Sequence, residues 1–238
     1  MGEDLTPREP FYVVVPLSGP SIESDRLLLR PVEDNDAAAL FAVRGRPEVA
    51  KTKYIKIRHD SFTKFQLTLP NSHPKEPFQS IEQTKKWMAS KIFTSPAMVM
   101  NCSFFYAIVD KSITDTERQV IGYMSINSVD PSPEIGYSIL PESWGKGFAT
   151  EALQMLLKMW WDLPRMEIDD MDRASGFVEK IYALCETCNP ASGSVLRKCG
   201  FEVVKTMRFG TDELYLWSLK KSDFTHEEAN KKYRYVKN

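Results

Sequence analysis

The most regular hydrophobic pattern in the chain lies between residues 147 and 162. Apolar residues recur there at every third or fourth position, as they do on one face of an α-helix. The members of this stripe are Ala149, Ala152, Leu153, Leu156, Leu157 and Trp160. We therefore predict that residues 147–162 form the strongest helix of the chain.

Strand-like stretches flank this helix on both sides. The upstream stretches are residues 103–109, 120–126 and 134–140. Their short polar connections predict an antiparallel meander. The downstream elements are a strand at 180–187, a helix from Asn189 to Gly200, and strands at 201–208 and 213–219. Because strands pair as hairpins in some places and alternate with helices in others, we expect an α+β fold around one mixed, mainly antiparallel sheet.

The N-terminal part of the chain predicts a strand and two helices. A short strand at residues 25–31 is closed by proline, and a helix capped by Asp34 or Asn35 follows it. Ser80 has capping-box spacing to Gln83 and predicts a second helix, at 80–92. Between the helices, residues 46–79 show no steady period and carry Pro70, Pro74 and Pro77. We expect a variable insertion there, where acceptor choice could be decided.

These patterns divide the chain into three parts. Residues 1–22 form an N-terminal extension, residues 23–220 form one folded domain, and residues 221–238 form a charged, peripheral tail. A chain of 238 residues is long enough to bury a sizeable core.

Charge and cysteine content exclude several classes of partner. The 31 Lys and Arg residues nearly balance the 32 Asp and Glu residues, so no overall field favours nucleic acid or an anionic membrane. The first residues are acidic where a secretory signal is basic, and no stretch approaches the length of a membrane span. Four cysteines are too sparse for a disulfide framework. We expect a cytoplasmic protein.

Two glycines stand between the predicted strand at 134–140 and the strongest helix. Gly145 and Gly147 would let backbone N–H groups converge on an anion, and the helix N-terminus adds free donors and the positive end of its dipole. A pyrophosphate fits such a site, although glycines in a loop can also simply make the turn. The spacing of the glycines does not match a Walker loop. It does not match a dinucleotide-binding fingerprint either, because that motif requires a third glycine at the position of Thr150.

The stretch from Glu134 to Ala152 resembles the acyl-CoA signature of the GNAT N-acetyltransferase superfamily. In the family form a Gln or Arg stands three residues before the first glycine, and here Glu142 departs from it. The segment 189–201 is similar to the closing motif of the ribosomal-protein-alanine acetyltransferase-like branch. A weaker match is the opening strand from Arg26 to Pro31, and residues 46–79 stay unmatched.

The resemblance implies acetyl-CoA as cosubstrate, an amine acceptor and no metal. It implies direct attack of a primary amine, on a small molecule or a protein N-terminus, in a ternary complex; a homodimer is left open. The alternatives are a catalytically weak acyl-CoA-binding module and a nucleotide-binding protein. The residues expected to bind the cosubstrate are Ser138, Ile139, Trp144, Gly145, Lys146, Gly147, Phe148, Ala149, Thr150, Asn189 and Ser192.

Aminolysis of a thioester requires a base, an oxyanion donor and an acid. Relatives often use a Tyr as the acid, but that position is Leu196 here. Ser192 matches the serine that the ribosomal-protein branch uses near the thiol, so the resemblance makes it the candidate acid, directly or through water. Glu134 matches an acidic residue that is common in this branch and is the candidate base, and Glu186, at the end of the next predicted strand, is an alternative; either would act through water. The same residues have structural interpretations as well, since Asn189 and Ser192 suit the first turn of a helix and strand-end carboxylates are often merely solvated.

Cys185 and Cys188 have the spacing of a zinc or redox pair. The chain has no second such pair for zinc and no thioredoxin-like context, so paired chemistry is disfavoured. An acyl-cysteine intermediate on Cys188 is a further alternative to direct transfer.

Overall fold

The computed structural model describes residues 12–50, 76–94, 96–116, 118–130, 132–167, 176–209 and 212–236. Within these ranges the strands are β1 (Ile22–Glu23), β2 (Leu27–Pro31), β3 (Phe104–Asp110), β4 (Val120–Ser128), β5 (Glu134–Ile139), β6 (Lys180–Glu186), β7 (Glu202–Phe209), β8 (Asp212–Lys220) and β9 (Arg234–Tyr235). The helices are α1 (Ala37–Arg44), α2 (Pro47–Ala50), α3 (Ile81–Ala89), α4 (Phe148–Asp162), α5 (Pro190–Lys198) and α6 (His226–Lys232).

All of these strands form one sheet in the order β7-β8-β6-β5-β4-β3-β2-β1-β9. The pair β5–β6 is parallel, and the other neighbouring pairs of described strands are antiparallel. The predicted α+β fold with a mixed, mainly antiparallel sheet is confirmed. None of the described helices is both long enough and apolar enough to span a lipid bilayer.

The sheet has a hydrophobic core on each face. Side chains of β3 alternate between them, so that Phe104 joins the core under α4 while Phe105 joins the core under α1 and α3. This is the period of two expected of a strand that is covered on both sides. Trp160 of α4 is fully buried, as the amphipathic stripe predicts. Burial of each such side chain stabilises the fold by about 1.5–3 kcal/mol.

The two early helices begin differently. Ser80 caps α3 as predicted, because its side chain accepts a hydrogen bond from the Gln83 N–H. Before α1, however, a 3-10 turn occupies Asp34–Asp36, and Glu33 and Asp36 cap it reciprocally. Asp36 also forms a two-point ion pair with Arg30, at 2.7 Å for each contact. The turn thus replaces the predicted cap at Asp34 or Asn35.

Both ends of the chain contribute to the fold beyond the predicted domain. Val13 and Val15 are buried in the core under α4, although they belong to the predicted extension. The segment predicted as a peripheral tail packs against the domain, since β9 pairs with β1 and α6 contacts α4. Tyr233 is buried, and its hydroxyl donates to Gln154 Oε1 at 2.6 Å. Charge along this segment concealed its few anchoring residues from a sequence-based interpretation.

Candidate active site

The two parallel strands at the centre of the sheet separate soon after they meet. Their paired residues are Glu134 with Tyr182 and Ile135 with Ala183. From residue 136 to 139, β5 continues without a ladder partner on β6, which itself runs on to Glu186. Because backbone N–H and C=O groups require partners, this divergence opens a place where a polar ligand can pair with β5.

A groove of about 370 Å³ begins at this divergence and extends to the N-termini of α4 and α5. Its volume is within the range of small-molecule sites. The predicted cosubstrate residues that line it are Ser138, Ile139, Trp144, Gly145, Gly147, Phe148, Ala149, Thr150, Asn189 and Ser192. Lys146 was predicted with them, but its side chain is exposed and is not part of the lining. The structure therefore brings together all of the predicted set except one residue.

The loop before α4 depends on the backbone freedom of its glycines. Gly145 has φ 73° and Gly147 has φ 81°, both in the left-handed region. A side chain at Gly145 would meet no atom within 4 Å, so conformation rather than space requires glycine there. Gly147 is the N-cap of α4 and provides no side-chain cap. The first N–H groups of α4 thus remain available to an anion at the groove.

Arg26 holds this loop against the rest of the fold. Its Nη1 donates to the Lys146 carbonyl oxygen at 3.0 Å, and its Nε donates to Glu151 Oε2 at 2.9 Å. Ser24 Oγ donates to Glu151 Oε1 at 2.6 Å. No role for Arg26 could be predicted from the sequence, because nothing in a single sequence connects it with residues more than 100 positions away. Glu142, which departs from the family motif, is exposed and pairs with Arg46.

A phenol and a hydroxyl meet where the groove reaches the core. Tyr137 of β5 donates a hydrogen bond from its hydroxyl to Ser192 Oγ at 3.1 Å. Burial raises the pKa of the Tyr137 phenol above its ordinary value, so this group stays protonated at neutral pH. Asn189 caps α5, as predicted, by accepting from the Ser192 N–H at 3.1 Å. Leu196, at the position where the family resemblance led us to expect a Tyr, is buried in the core.

Tyr137 is a residue that the sequence analysis missed. Its only sequence signal was its place in the stretch Glu134–Ile139, between Gly136 and Ser138. Alternation along the strand did not reveal which face would meet α5, because that depends on the divergence from β6.

A second, smaller cavity of about 80 Å³ adjoins the groove; we call it the inner cavity. The two share Tyr137, Ser138, Asn189 and Ser192. Polar and aromatic residues from distant elements also line the inner cavity: Arg44, Trp87, Lys91, Tyr123, Asn127, Cys185 and Glu186. Tyr123 connects several of them, because its hydroxyl accepts from Arg44 Nη1 at 2.9 Å and from Ser138 Oγ at 3.0 Å.

The two candidate bases occupy different positions. Glu134 is buried at the start of β5 and is 3 % exposed, and the residues that line the groove and the inner cavity do not include it. Glu186, at the end of β6, is 7 % exposed and lines the inner cavity. The carboxylate that adjoins the shared residues is therefore that of Glu186.

The two nearby cysteines have unequal environments. Cys185 is buried, and burial raises the pKa of its thiol to about 11, so it remains a thiol at neutral pH. Cys188 is exposed, with its Sγ 3.6 Å from Glu186 Oε2. Among the residues with assigned positions, no group of three or more His, Cys, Asp or Glu side chains is arranged to hold a metal ion.

The insertion at 46–79 lies mostly outside the described residues, which omit 51–75. Its role in acceptor choice stays a prediction. At its start, Glu48 and Val49 line the groove. Phe78, at its end, is buried under the α1 and α3 side of the sheet.

Comparison with known proteins gives this arrangement a family context. The model of the acetyltransferase (GNAT) domain family matches residues 26–202, more than half of the chain. The uncharacterized N-acetyltransferase YoaA of Bacillus subtilis is 29 % identical over 189 residues, which are 79 % of this chain and 86 % of that protein.

Solved structures share the fold at lower identity. Spermidine N-acetyltransferase from Vibrio cholerae, in complex with CoA and spermine, aligns with a TM-score of 0.53 and 16 % identity, over 83 % of this chain and 96 % of its own. Ribosomal-protein-S5-alanine acetyltransferase from Vibrio fischeri aligns with a TM-score of 0.52 and 18 % identity, over 86 % of this chain and 98 % of its own.

Proposed function

Because the chain belongs to the GNAT acetyltransferase family, and is on that ground an acetyl-CoA-dependent acyltransferase, we propose that it acetylates a primary amine by direct attack in a ternary complex. The observation that carries this proposal is the junction between the groove and the inner cavity. Four residues, Tyr137, Ser138, Asn189 and Ser192, line both. A thioester entering along the groove and an amine entering from the inner cavity would meet there.

The groove suits the parts of acetyl-CoA in order along its length. The pyrophosphate would lie against the N–H groups of Gly145, Gly147 and the first turn of α4. The amide-containing pantetheine arm would then pair with the part of β5 that β6 leaves free, beside Asn189. A backbone N–H near Ser138 or Ile139 would receive the oxyanion of the tetrahedral intermediate. The CoA bound by the Vibrio cholerae neighbour supports this assignment of ligand class.

Ser192 would supply the proton for the departing CoA thiolate. In the proposed reaction the amine nitrogen forms a bond to the acetyl carbon, the C–S bond breaks, and the sulfur leaves as a thiolate. Ser192 Oγ donates a proton to that sulfur and regains one from the Tyr137 hydroxyl, with which it shares a hydrogen bond of 3.1 Å. Tyr137 recovers its proton from solvent, to which the base releases the proton taken from the amine, so the relay ends with both hydroxyls protonated. The raised pKa of Tyr137 keeps this phenol in its proton-donating form.

The amine must lose a proton before it attacks, and a carboxylate acting through water would accept it. Glu134 is the base that the family resemblance suggests. Glu186 is the alternative, and its place in the lining of the inner cavity supports it. The acceptor is proposed as a small molecule or a protein N-terminus, the latter from the similarity of residues 189–201 to the ribosomal-protein branch and from the Vibrio fischeri neighbour.

An assay of free thiol release tests the proposal. The protein is incubated with acetyl-CoA and a panel of primary amines, and CoA thiol is followed with time together with CoA affinity by calorimetry. Turnover with at least one amine is the expected result. Micromolar binding of acetyl-CoA without thiol release above background would instead favour a weak acyl-CoA-binding module, which the replacement of the usual Tyr by Leu196 keeps as the second candidate.

A further inference from the structure

Two buried polar atoms on the wall of the inner cavity have no hydrogen-bond partner among the described residues. They are Glu186 Oε1, an acceptor, and Asn127 Nδ2, a donor. Glu186 is 7 % exposed and Asn127 is 8 % exposed. An unsatisfied buried polar group costs about 1–3 kcal/mol, and more if it is charged, so both atoms call for a ligand or water.

The orientation of Asn127 is fixed by its neighbours. Its Oδ1 accepts from Ser125 Oγ at 2.6 Å and from the Lys91 ammonium, so the amide nitrogen must point the other way. Asn127 also lies at a β-bulge, because the register of β4 against β5 shifts between Ile126 and Ser128. Bulges redirect side chains and occur beside active sites. The amide N–H is thus held in place as a donor on the wall of the inner cavity.

Glu186 presents one carboxylate oxygen in a comparable way. Its Oε2 is the oxygen near Cys188 Sγ, at 3.6 Å, which leaves Oε1 as the unsatisfied atom. The backbone of Glu186 is fixed as well, since its carbonyl oxygen accepts from the Asn189 N–H at 3.0 Å. The inner cavity therefore presents one anionic acceptor and one neutral donor beside the residues it shares with the groove.

The volume of the inner cavity limits what it can hold. A single water molecule needs about 10–15 Å³ of cavity volume. The inner cavity, at about 80 Å³, therefore accommodates a few waters or the amine end of an acceptor, and not a whole acceptor molecule. The cations of Arg44 and Lys91 also line it. Positive charge at these positions disfavours an acceptor that carries a second ammonium group close to its reacting amine. It favours an acceptor that carries a carbonyl or carboxylate oxygen there instead.

We propose that the inner cavity selects an α-amino compound, with its ammonium on Glu186 and the neighbouring carbonyl or carboxylate oxygen on the Asn127 amide. This inference rests on the proposed function and narrows its acceptor. The class includes free amino acids, their amides and peptide N-termini, which share an amine beside a C=O group. It excludes polyamines as preferred acceptors, because they offer no oxygen to Asn127.

Steady-state acetylation of matched amines by the full chain tests the acceptor class. The panel is glycine, glycinamide, the peptide Gly-Gly-Gly, propylamine and spermidine, each assayed for KM and kcat. We expect kcat/KM for at least one of the three α-amino compounds to exceed that for propylamine and spermidine by about tenfold or more, the equivalent of one good hydrogen bond. The compound with the highest kcat/KM among the three shows whether the preferred acceptor is a free amino acid, an amino acid amide or a peptide N-terminus. Equal or better use of propylamine or spermidine overturns the proposal.

Two near-isosteric variants test whether Glu186 and Asn127 bind the acceptor. Glu186→Gln removes the anion and should raise KM for every amine by about tenfold or more, with CoA affinity unchanged. Because Glu186 is also the alternative base, a fall in kcat in the same variant would assign it that second role. Asn127→Asp removes the N–H donor and should raise KM for the α-amino compounds by a similar factor, while the added negative charge, which attracts any ammonium, should leave KM for propylamine unchanged or lower it. The control is Glu82→Gln on α3, whose carboxylate is 76 % exposed and pairs with Lys85.

Failure of this inference is distinguishable from failure of the proposed function. If no amine is acetylated by the wild-type chain, the proposed function fails and this inference fails with it. If amines are acetylated but neither variant alters any KM by more than about twofold, the inner cavity holds structural water only and this inference alone is overturned. Circular dichroism and thermal melting of each variant establish that it is folded before its KM is compared.

Discussion

The groove and the inner cavity meet along β5, but they are built from different parts of the polypeptide. The groove is lined mainly by residues that lie close together in the sequence, between Tyr137 and Thr150, and by the start of α5. The inner cavity is lined by residues of α1, α3, β4, β5, β6 and α5 and by Lys91 beyond the end of α3, which are far apart in the sequence. A site made from local backbone geometry leaves a contiguous pattern of glycines and caps in the sequence. A site assembled from separate elements leaves no such pattern.

The largest effect should come from disrupting the backbone geometry of the groove. Gly147→Glu places a side chain on a residue with φ 81° and a negative charge where the pyrophosphate is proposed to bind. We expect CoA affinity, measured by calorimetry, to fall by at least about 100-fold.

Gly176→Glu is the matched control for that variant. Gly176 also has positive φ, 70°, and open space at its Cβ position, but it lines neither the groove nor the inner cavity. Its backbone strain is comparable, and its CoA affinity should be that of the wild type. A folded Gly147→Glu variant that binds CoA with wild-type affinity would contradict the assignment of this loop as the pyrophosphate site.

Substitutions at the junction between the groove and the inner cavity should lower kcat rather than CoA affinity. We expect Ser192→Ala to lower kcat by about 100-fold with CoA affinity nearly unchanged, because protonation of the thiolate is lost. Tyr137→Phe should lower kcat less, and the double variant should be no slower than Ser192→Ala, since the two hydroxyls act in series. Additive losses would contradict a shared proton path.

The pH dependence of kcat tests the same pair. The ordinary pKa of a tyrosine is about 10, and burial raises that of Tyr137 further. The acid is active while protonated, so its contribution is present at low pH and is lost only above pH 10. A fall in wild-type kcat between pH 7 and 9 that is absent in Tyr137→Phe would contradict this environment for the phenol.

Loss of the contacts that Arg26 makes with the glycine loop should have an intermediate effect on CoA affinity. Arg26→Ala removes the hydrogen bond to the Lys146 carbonyl and the ion pair with Glu151, and we expect CoA affinity to fall by about five- to tenfold. The control is Arg118→Ala, because Arg118 is 83 % exposed and pairs with Asp115. Unchanged affinity in Arg26→Ala would mean that the glycines hold the loop without this brace.

The same contrast explains which predictions succeeded. The fold class, the helix over α4 and the caps at Ser80 and Asn189 follow from local periodicity and capping chemistry, and the structure confirms them. The roles of Tyr137 and Arg26 were missed, because they depend on strand divergence and on contacts between distant segments. The packing of the C-terminal segment was not foreseen for a related reason, since its high charge conceals its few anchoring residues, among them Ala229 and Tyr233.

The smallest effect should come from the one predicted loop residue that lies outside the groove. The Lys146 side chain is exposed, while its backbone carbonyl is held by Arg26. If backbone N–H groups bind the pyrophosphate, Lys146→Ala should lower CoA affinity by less than about threefold, the contribution of a solvent-screened charge. Calorimetry at two salt concentrations measures this contribution directly. A loss above tenfold that disappears at high salt would mean that the site relies on a side-chain cation, and the distinction between a backbone-built groove and a side-chain-built inner cavity would not hold.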